Sequence, residues 1–307
     1  MEELATANGA TVPKIGFGTY RMEGEECRQA TRAALESGYR HIDTAMAYEN
    51  EAVIGEVVEA SDRGREDVFL TTKVKGYPEM LTYEGFLEAA EGCLERLDTE
   101  YVDLLLVHWW HPDGDMPGVF RALDELVADG KTRHIGVSNF SVEQLERAMD
   151  LAETPLLTNQ IEYHPYFTDN HGDLVEYCQE QDVLVTAYSP LAEGRVAEDD
   201  TLAAIGERHG KSAPQVAIRW LIQQEGVVAI PKSSTVEYIR ANRDVFDFEL
   251  SEEEMHRITT TRGPVLYELL KEEGPVYKVR AAVGPRIPDP MRKALVSTGS
   301  AALKLVQ

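Results

Sequence analysis

Short apolar segments alternate with longer amphipathic segments along most of the chain. The short segments are rich in Val, Ile, Leu and Thr, a composition typical of β-strands. Each is followed by a stretch long enough for a helix or an extended loop. Eight strands are predicted, at 15–19, 40–43, 69–73, 104–108, 135–138, 159–163, 185–189 and 228–231.

Several of the longer segments have the apolar spacing and the end signals of helices. Ser141 is a natural N-cap with Gln144 completing a capping box, and Ser212 with Pro214 opens a later helix. The predicted helices are 25–37, 82–97, 120–128, 142–151 and 215–224. Alternating strands and helices predict an α/β chain folded as a single (β/α)8 TIM barrel.

A doubly wound parallel sheet is the alternative architecture. Such a sheet usually binds a dinucleotide through G-x-G-x-x-G after its first strand, whereas this chain has only the fragment Gly16-x-Gly18. We therefore predict a barrel over residues 1–263, carrying the catalytic and cofactor sites. The remainder, 264–307, is predicted to be a tail packed on the barrel. It has seven basic and four acidic residues against an acidic body. A tail that binds a membrane surface or a partner is the alternative.

Composition narrows the classes of function. The 54 acidic and 30 basic residues give a net charge of −24, which argues against nucleic acid as a partner. No segment reaches the roughly 18 consecutive apolar residues of a membrane span, and the N-terminus lacks a signal peptide's apolar region. Three widely spaced cysteines suggest neither a disulfide framework nor a metal site. We expect a cytoplasmic monomer without a metal.

Polar side chains lie at the end of every predicted strand. In a (β/α)8 barrel, these ends form the rim that carries the active site. The residues concerned are Thr19, Asp43, Lys73, His108, Ser138, Asn139, Gln160, Ser189 and Lys232. Their repeated placement predicts one polar rim.

Four side chains near this rim form a set suited to acid catalysis: Asp43, Tyr48, Lys73 and His108. Taken singly, each has an ordinary structural interpretation, as a cap, an aromatic, an ion-pair partner or a hydrogen bonder. Together, a lysine beside the phenol is expected to lower its pKa from about 10, and the aspartate to orient the lysine. The histidine could hydrogen-bond a substrate oxygen or Tyr48 itself. Such a set suits protonation of an oxyanion forming on a carbonyl.

Eight motifs, taken in order, resemble those of the aldo-keto reductase family, in particular its prokaryotic-type members. They are GYRHIDTA at 38–45 followed by Tyr48, TTK at 71–73, LLLVHW at 104–109, IGVSNF at 135–140, NQIEYH at 159–164, AYSPL at 187–191, IPKS at 230–233 and VFDFEL at 245–250. The resemblance runs from about residue 9 to about residue 260 and leaves the tail uncovered.

The resemblance implies a role for each matching residue. Tyr48 would be the general acid of a tetrad completed by Asp43, Lys73 and His108. The substrate would meet Tyr20, Tyr48, His108 and Trp109. The cofactor NADP(H) would contact Thr19, Asp43, Ser138, Asn139, Gln160, Tyr188, Ser189, Leu191, Lys232, Ser233 and Asn242, with Tyr188 stacked under the nicotinamide and Lys232 at the adenosine 2′-phosphate.

Three positions depart from the family pattern. Tyr238 replaces a common phosphate-binding arginine, with Arg240 nearby, so NAD(H) stays open as an alternative to NADP(H). Lys75 and Trp110 replace a tryptophan and a proline at the edge of the substrate pocket. The substrate itself therefore cannot be carried over from the family.

The predicted function is NAD(P)H-dependent reduction of small aldehydes or ketones, with hydride passing to the carbonyl carbon. Two alternatives remain: a catalytically silent nucleotide-binding module, and an aldolase that uses Lys73 as a Schiff-base amine. The composition has ten lysines against twenty arginines. That lysine-poor, acidic balance resembles haloarchaeal proteins and predicts a halophilic protein; an ordinary acidic cytosolic protein is the alternative.

Overall fold

Eight parallel strands, paired in chain order, form the centre of the fold. The computed structural model describes residues 3–168 and 172–261. The strands are β3 (Phe17–Gly18), β4 (His41–Asp43), β5 (Phe69–Val74), β6 (Val102–Val107), β7 (Thr132–Ser138), β8 (Leu156–Glu162), β9 (Leu184–Tyr188) and β10 (Val227–Ala229). A parallel bridge between Ile15 and Ala229 joins the last strand to the first. The sheet is therefore a closed (β/α)8 barrel, as predicted.

Helices surround the barrel and connect its strands. They are α1 (Gly24–Glu36), α2 (Glu51–Glu59), α3 (Tyr83–Leu97), α4 (Met116–Ala128), α5 (Val142–Leu151), α6 (Gly172–Glu180), α7 (Asp200–His209), α8 (Ala213–Gln223), α9 (Val236–Arg243) and α10 (Glu252–Thr259). The Ser141 capping box is present as predicted. Helix α4 begins before the predicted 120, because Asp115 caps it by accepting a hydrogen bond from Gly118 N at 3.2 Å.

A hairpin that the sequence analysis did not predict closes the N-terminal end of the barrel. Strands β1 (Leu4–Ala7) and β2 (Ala10–Pro13) pair antiparallel around a two-residue turn. Asn8 and Gly9 both have positive φ, +47° and +76°, as a tight hairpin turn requires. The buried face of the hairpin packs on apolar side chains inside the barrel, and this cluster comprises Ala5, Ala7, Ala10, Val12, Leu104, Leu106, Leu157, Leu184 and Val228. The rim predicted to carry the site lies at the opposite end of the barrel.

Some expectations concern residues that the structure does not describe. The predicted tail, 264–307, lies outside the described residues, so the boundary at 263 stays a prediction. Within the ranges 3–168 and 172–261, no helix combines the length and the apolar character that a bilayer crossing needs.

Candidate active site

Lys73 is at the centre of the polar rim. Its side chain is fully buried at the end of β5, where the ammonium donates to Asp43 Oδ1 at 2.6 Å and to the Thr44 carbonyl at 2.8 Å. The same Nζ lies 3.5 Å from the hydroxyl of Tyr48. Asp43 ends the neighbouring strand β4, so strand pairing holds the carboxylate beside the amine. Three of the four predicted catalytic side chains therefore form one hydrogen-bonded cluster.

Tyr48 and His108 complete the tetrad (Asp43, Tyr48, Lys73 and His108). Tyr48 is in a short 3₁₀ turn, Met46–Tyr48, which follows β4. Its ring lies edge-on to His108 with centroids 6.0 Å apart, and 5.0 Å from the ring of Tyr20. His108 follows β6, where its backbone N–H donates to Val74 O at 3.0 Å. The structure thus brings the four predicted groups together at one rim.

The Asp43 carboxylate is held on both of its oxygens. Lys73 Nζ donates to Oδ1, and the side-chain amide of Gln160 donates to Oδ2 at 2.8 Å. The Thr19 hydroxyl donates to the Asp43 carbonyl at 2.9 Å. These bonds come from three different strand ends, so the orientation of Asp43 is fixed by the closure of the barrel.

Burial determines how the tetrad ionises. It raises the pKa of Tyr48 well above the usual value, and Asp43 and Tyr20 raise it further. The expectation that this pKa would lie below its usual value is therefore wrong, because burial, the largest cause, raises it. Burial, followed by the charges of Lys73 and Lys75, lowers the pKa of His108 to about 3. Burial also lowers the pKa of Lys73, opposed by Asp43. Phenol and imidazole are therefore both neutral at pH 7.

A second hydrogen-bonded cluster lies beside the tetrad. Tyr188 donates its hydroxyl proton to Asn139 Oδ1 at 2.9 Å, and Asn139 Nδ2 donates to Ser138 Oγ at 2.9 Å and to the His108 carbonyl at 3.2 Å. Ser138 Oγ donates to Gln160 O at 3.0 Å. Asn139 has a left-handed φ of +62°, which turns the chain at the end of β7. Four residues predicted to hold nicotinamide thus form one group at the rim.

The other residues predicted to bind cofactor follow the last two barrel strands. Ser189 and Leu191 are half-buried after β9; Lys232 is exposed and Ser233 half-buried after β10. Ser233 Oγ accepts from Thr235 N at 3.1 Å. Lys232 comes three residues after Ala229, so it lies beyond the strand rather than at its end. Asn242 is buried in α9.

Comparison with known proteins decides the family. The family model described as "Aldo/keto reductase family" matches residues 14–262. This chain belongs to the aldo/keto reductase family.

Individual relatives agree with this assignment. A glyoxal reductase of Bacillus subtilis is 43% identical over 252 residues, covering 82% of this chain and 89% of the relative. The crystal structure of an aldo/keto reductase from Brucella melitensis matches with a TM-score of 0.78 at 38% identity, covering 84% of this chain and 99% of that one. An aldo-keto reductase from a Medee basin deep-sea metagenome library has the same TM-score, 0.78, at 40% identity, covering 83% and 93%. The predicted family and fold are confirmed.

Two of the residues predicted to meet substrate are exposed aromatics. Tyr20 and Trp109, both predicted to meet substrate, are 52% and 45% exposed although both are large apolar residues. The Trp109 ring stacks on His108 with centroids 6.5 Å apart.

The residues that bear on cofactor preference lie on α9. Tyr238 is 65% exposed on this helix. Arg240 is exposed on the same helix.

Two residues that support the tetrad lie in the family-like segment 49–51, directly after Tyr48, and were assigned no role from the sequence. Asn50 donates to the carbonyls of Thr19 and Met22 at 2.9 and 3.1 Å and accepts from Thr44. Glu51 is 1% exposed, and its carboxylate accepts from Thr72 Oγ1 at 2.5 Å and from Arg96 Nε at 2.7 Å. The available signal was a pair of polar residues just after Tyr48, where a helix with apolar spacing begins.

Proposed function

We propose that this aldo-keto reductase uses NADPH to reduce small aldehydes and ketones, with Tyr48 as the proton donor. The observation that carries the proposal is the position of the buried Lys73 ammonium, 2.6 Å from Asp43 and 3.5 Å from the Tyr48 hydroxyl. Family membership and relatives named as reductases support carbonyl reduction.

The second cluster fits a nicotinamide carboxamide. Ser138, Asn139 and Gln160 present hydroxyl and amide groups, which pair with an amide in both directions. Gln160 uses one of its two amide N–H groups on Asp43, so its side-chain oxygen and its second N–H are the groups it offers to a ligand. Tyr188 is half-buried with its hydroxyl fixed by Asn139, and its ring is suited to support a flat heterocycle.

Each member of the tetrad has a distinct part in the reaction. A reduced nicotinamide bound at this cluster would supply the hydride. Tyr48 gives its phenolic proton to the carbonyl oxygen, and neutral His108 donates a hydrogen bond to that oxygen. The Lys73 ammonium stabilises the phenolate that remains on Tyr48, because opposite charges attract strongly where water is excluded. Asp43 keeps this ammonium oriented and balances its charge.

We propose a preference for NADPH over NADH. Lys232 is an exposed point charge beside the Ser233 hydroxyl, and Arg240 is a second exposed cation on α9. Cations and hydroxyl donors are the groups that bind a phosphate monoester. Tyr238 supplies no charge at the position where relatives commonly have arginine, so the preference rests on Lys232 and Arg240.

A substrate panel tests both proposals. Cofactor oxidation is followed with a glyoxal, a sugar-derived ketone and an aromatic aldehyde, each with NADPH and NADH, at low and at molar salt. We expect turnover with a higher kcat/KM for NADPH, and a loss of this preference in Lys232→Met. Cofactor binding without turnover of any carbonyl would instead support a silent nucleotide-binding module. A ratio of NADPH to NADH efficiency near one would contradict the cofactor preference alone.

A further inference from the structure

Lys75 lies at the mouth of the site, next to the tetrad. Strand pairing aligns Val74 with Val107, so the residues that follow them, Lys75 and His108, are neighbours at the rim. A Cβ placed on Gly76 would lie 2.7 Å from Trp109 Cβ, which shows how closely the 75–76 segment packs on the 108–109 segment. Lys75 is the first residue after β5, two positions beyond the tetrad lysine Lys73.

Lys75 differs from the other lysines that are withdrawn from solvent. Lys14 pairs with Glu3 at 3.4 Å, Lys73 with Asp43 at 2.6 Å and Lys211 with Asp244 at 2.8 Å. Lys75 is half-buried, yet it has no carboxylate within ion-pair distance in the ranges 3–168 and 172–261. The chain contains 54 acidic residues, so carboxylates are abundant. The Lys75 ammonium is therefore available to an anionic group of a ligand without displacing a carboxylate of the protein.

The surroundings of Lys75 are aromatic. Its Nζ lies 5.8 Å from the centroid of Tyr77, which is 53% exposed. Across the mouth, Arg21 Cζ lies 5.0 Å from the ring centroid of Tyr20, which in turn contacts Tyr48. Exposed rings beside cations suit a molecule that has both an apolar body and a negative charge.

We propose that Lys75 binds an anionic group of the substrate, so that the preferred substrates are carbonyl compounds with a carboxylate on an apolar body. The inference rests on the reductase function proposed above and deepens it. The carbonyl oxygen of the substrate binds Tyr48 and His108. Its carboxylate binds the ammonium of Lys75, which follows the strand next to that of His108. The field of Lys75 already reaches His108, since it contributes to the lowered pKa of that imidazole.

Two matched substrates and three variants test this role. The substrates are 4-formylbenzoate and its methyl ester, which differ in charge but share the reacting aldehyde. NADPH is the cofactor, and the assay uses the lowest KCl concentration at which circular dichroism shows the wild type to be folded. Lys75→Met removes the charge and keeps the length, and Lys75→Arg restores the charge. Lys131→Met removes the same charge from an exposed lysine that precedes β7, at the opposite end of the barrel.

We expect the wild type to prefer the acid, and Lys75→Met to lower the acid-to-ester ratio of kcat/KM by about tenfold, mainly through KM. Ester turnover in Lys75→Met falls less than acid turnover, and a circular dichroism spectrum that matches the wild type shows that the variant is folded. Lys75→Arg and Lys131→Met keep the wild-type ratio. Added salt reduces the preference of the wild type for the acid over the ester, because it screens the attraction between the ammonium and the carboxylate.

Other outcomes separate the two proposals. If the ester is reduced but the ratio is the same in wild type and Lys75→Met, the inference about Lys75 is overturned and the reductase function stands. An equal fall of the ratio in Lys131→Met would assign the effect to overall charge and also overturn it. Failure of the wild type to reduce either compound would overturn the reductase proposal, and this inference with it.

Discussion

Burial, more than neighbouring charge, sets the protonation of the side chains at the rim. Tyr48 keeps its proton because burial raises its pKa, even with an ammonium 3.5 Å away. His108 stays neutral because burial and two lysines disfavour a second proton. The sequence was enough to predict which residues meet, since strand ends share a rim. It could not predict these pKa shifts, because burial sums contacts from strands far apart in the chain.

Two buried histidines should make folding sensitive to mild acid. The pKa of His41 is lowered to about 4 and that of His108 to about 3, in both cases first by burial. In the unfolded chain both would titrate near 6.5. Between about pH 6.5 and pH 4 the unfolded state therefore binds more protons, and stability falls as pH falls, by up to about 1.4 kcal/mol per pH unit for each ring.

Denaturant unfolding at pH 7 and pH 5.5, at constant salt, measures this slope. We expect His41→Gln to flatten this slope relative to the wild type. An identical slope in the two proteins would show that His41 is not held neutral by burial.

At the level of elements, the loop carrying Tyr48 is held by the start of α2. Glu51 opens this helix and is bonded to Thr72, the neighbour of Lys73 on β5, and to Arg96 on α3. The loop is thereby tied to the strand that supplies the tetrad lysine. A shift of α2 would change the distance between Tyr48 and Lys73.

Glu51→Ala should therefore reduce both stability and turnover. Loss of the buried carboxylate leaves Thr72 without its acceptor, and we expect unfolding free energy to fall by about 1–3 kcal/mol. We also expect kcat to fall more than cofactor affinity. Glu59→Ala, an exposed position on the same helix, is the matched control for thermal unfolding and steady-state kinetics. If Glu51→Ala and Glu59→Ala had the same Tm and the same kcat, Glu51 would not hold the Tyr48 loop in place.

Some strands and helices could be predicted from the sequence, and others could not. The barrel strands were predicted because β-branched runs recur at regular intervals. The β1–β2 hairpin was missed because alanines fill three of its four core positions, although Asn8-Gly9 is a recognised hairpin turn. The start of α4 was missed because Asp115, its cap, precedes a proline-containing first turn rather than an apolar run.

At the scale of the whole molecule, the net charge of −24 is the dominant property. Self-repulsion among exposed carboxylates opposes the compact state, and molar salt screens it by shortening the Debye length to about 3 Å. We expect the Tm to rise steeply with KCl, and folding to be lost in salt-free buffer. Circular dichroism across a KCl series checks this. Full stability without salt would favour an ordinary acidic protein.

The central claim is that Tyr48 delivers the proton at a rim shared with the cofactor. The direct measurement is single-turnover reduction of an aldehyde by Tyr48→Phe with saturating NADPH, alongside cofactor binding by fluorescence. We predict a loss of rate on the order of 100-fold or more with cofactor affinity unchanged, and a wild-type rate for Tyr101→Phe, which precedes β6 at the other end of the barrel. A wild-type rate in Tyr48→Phe would contradict the account.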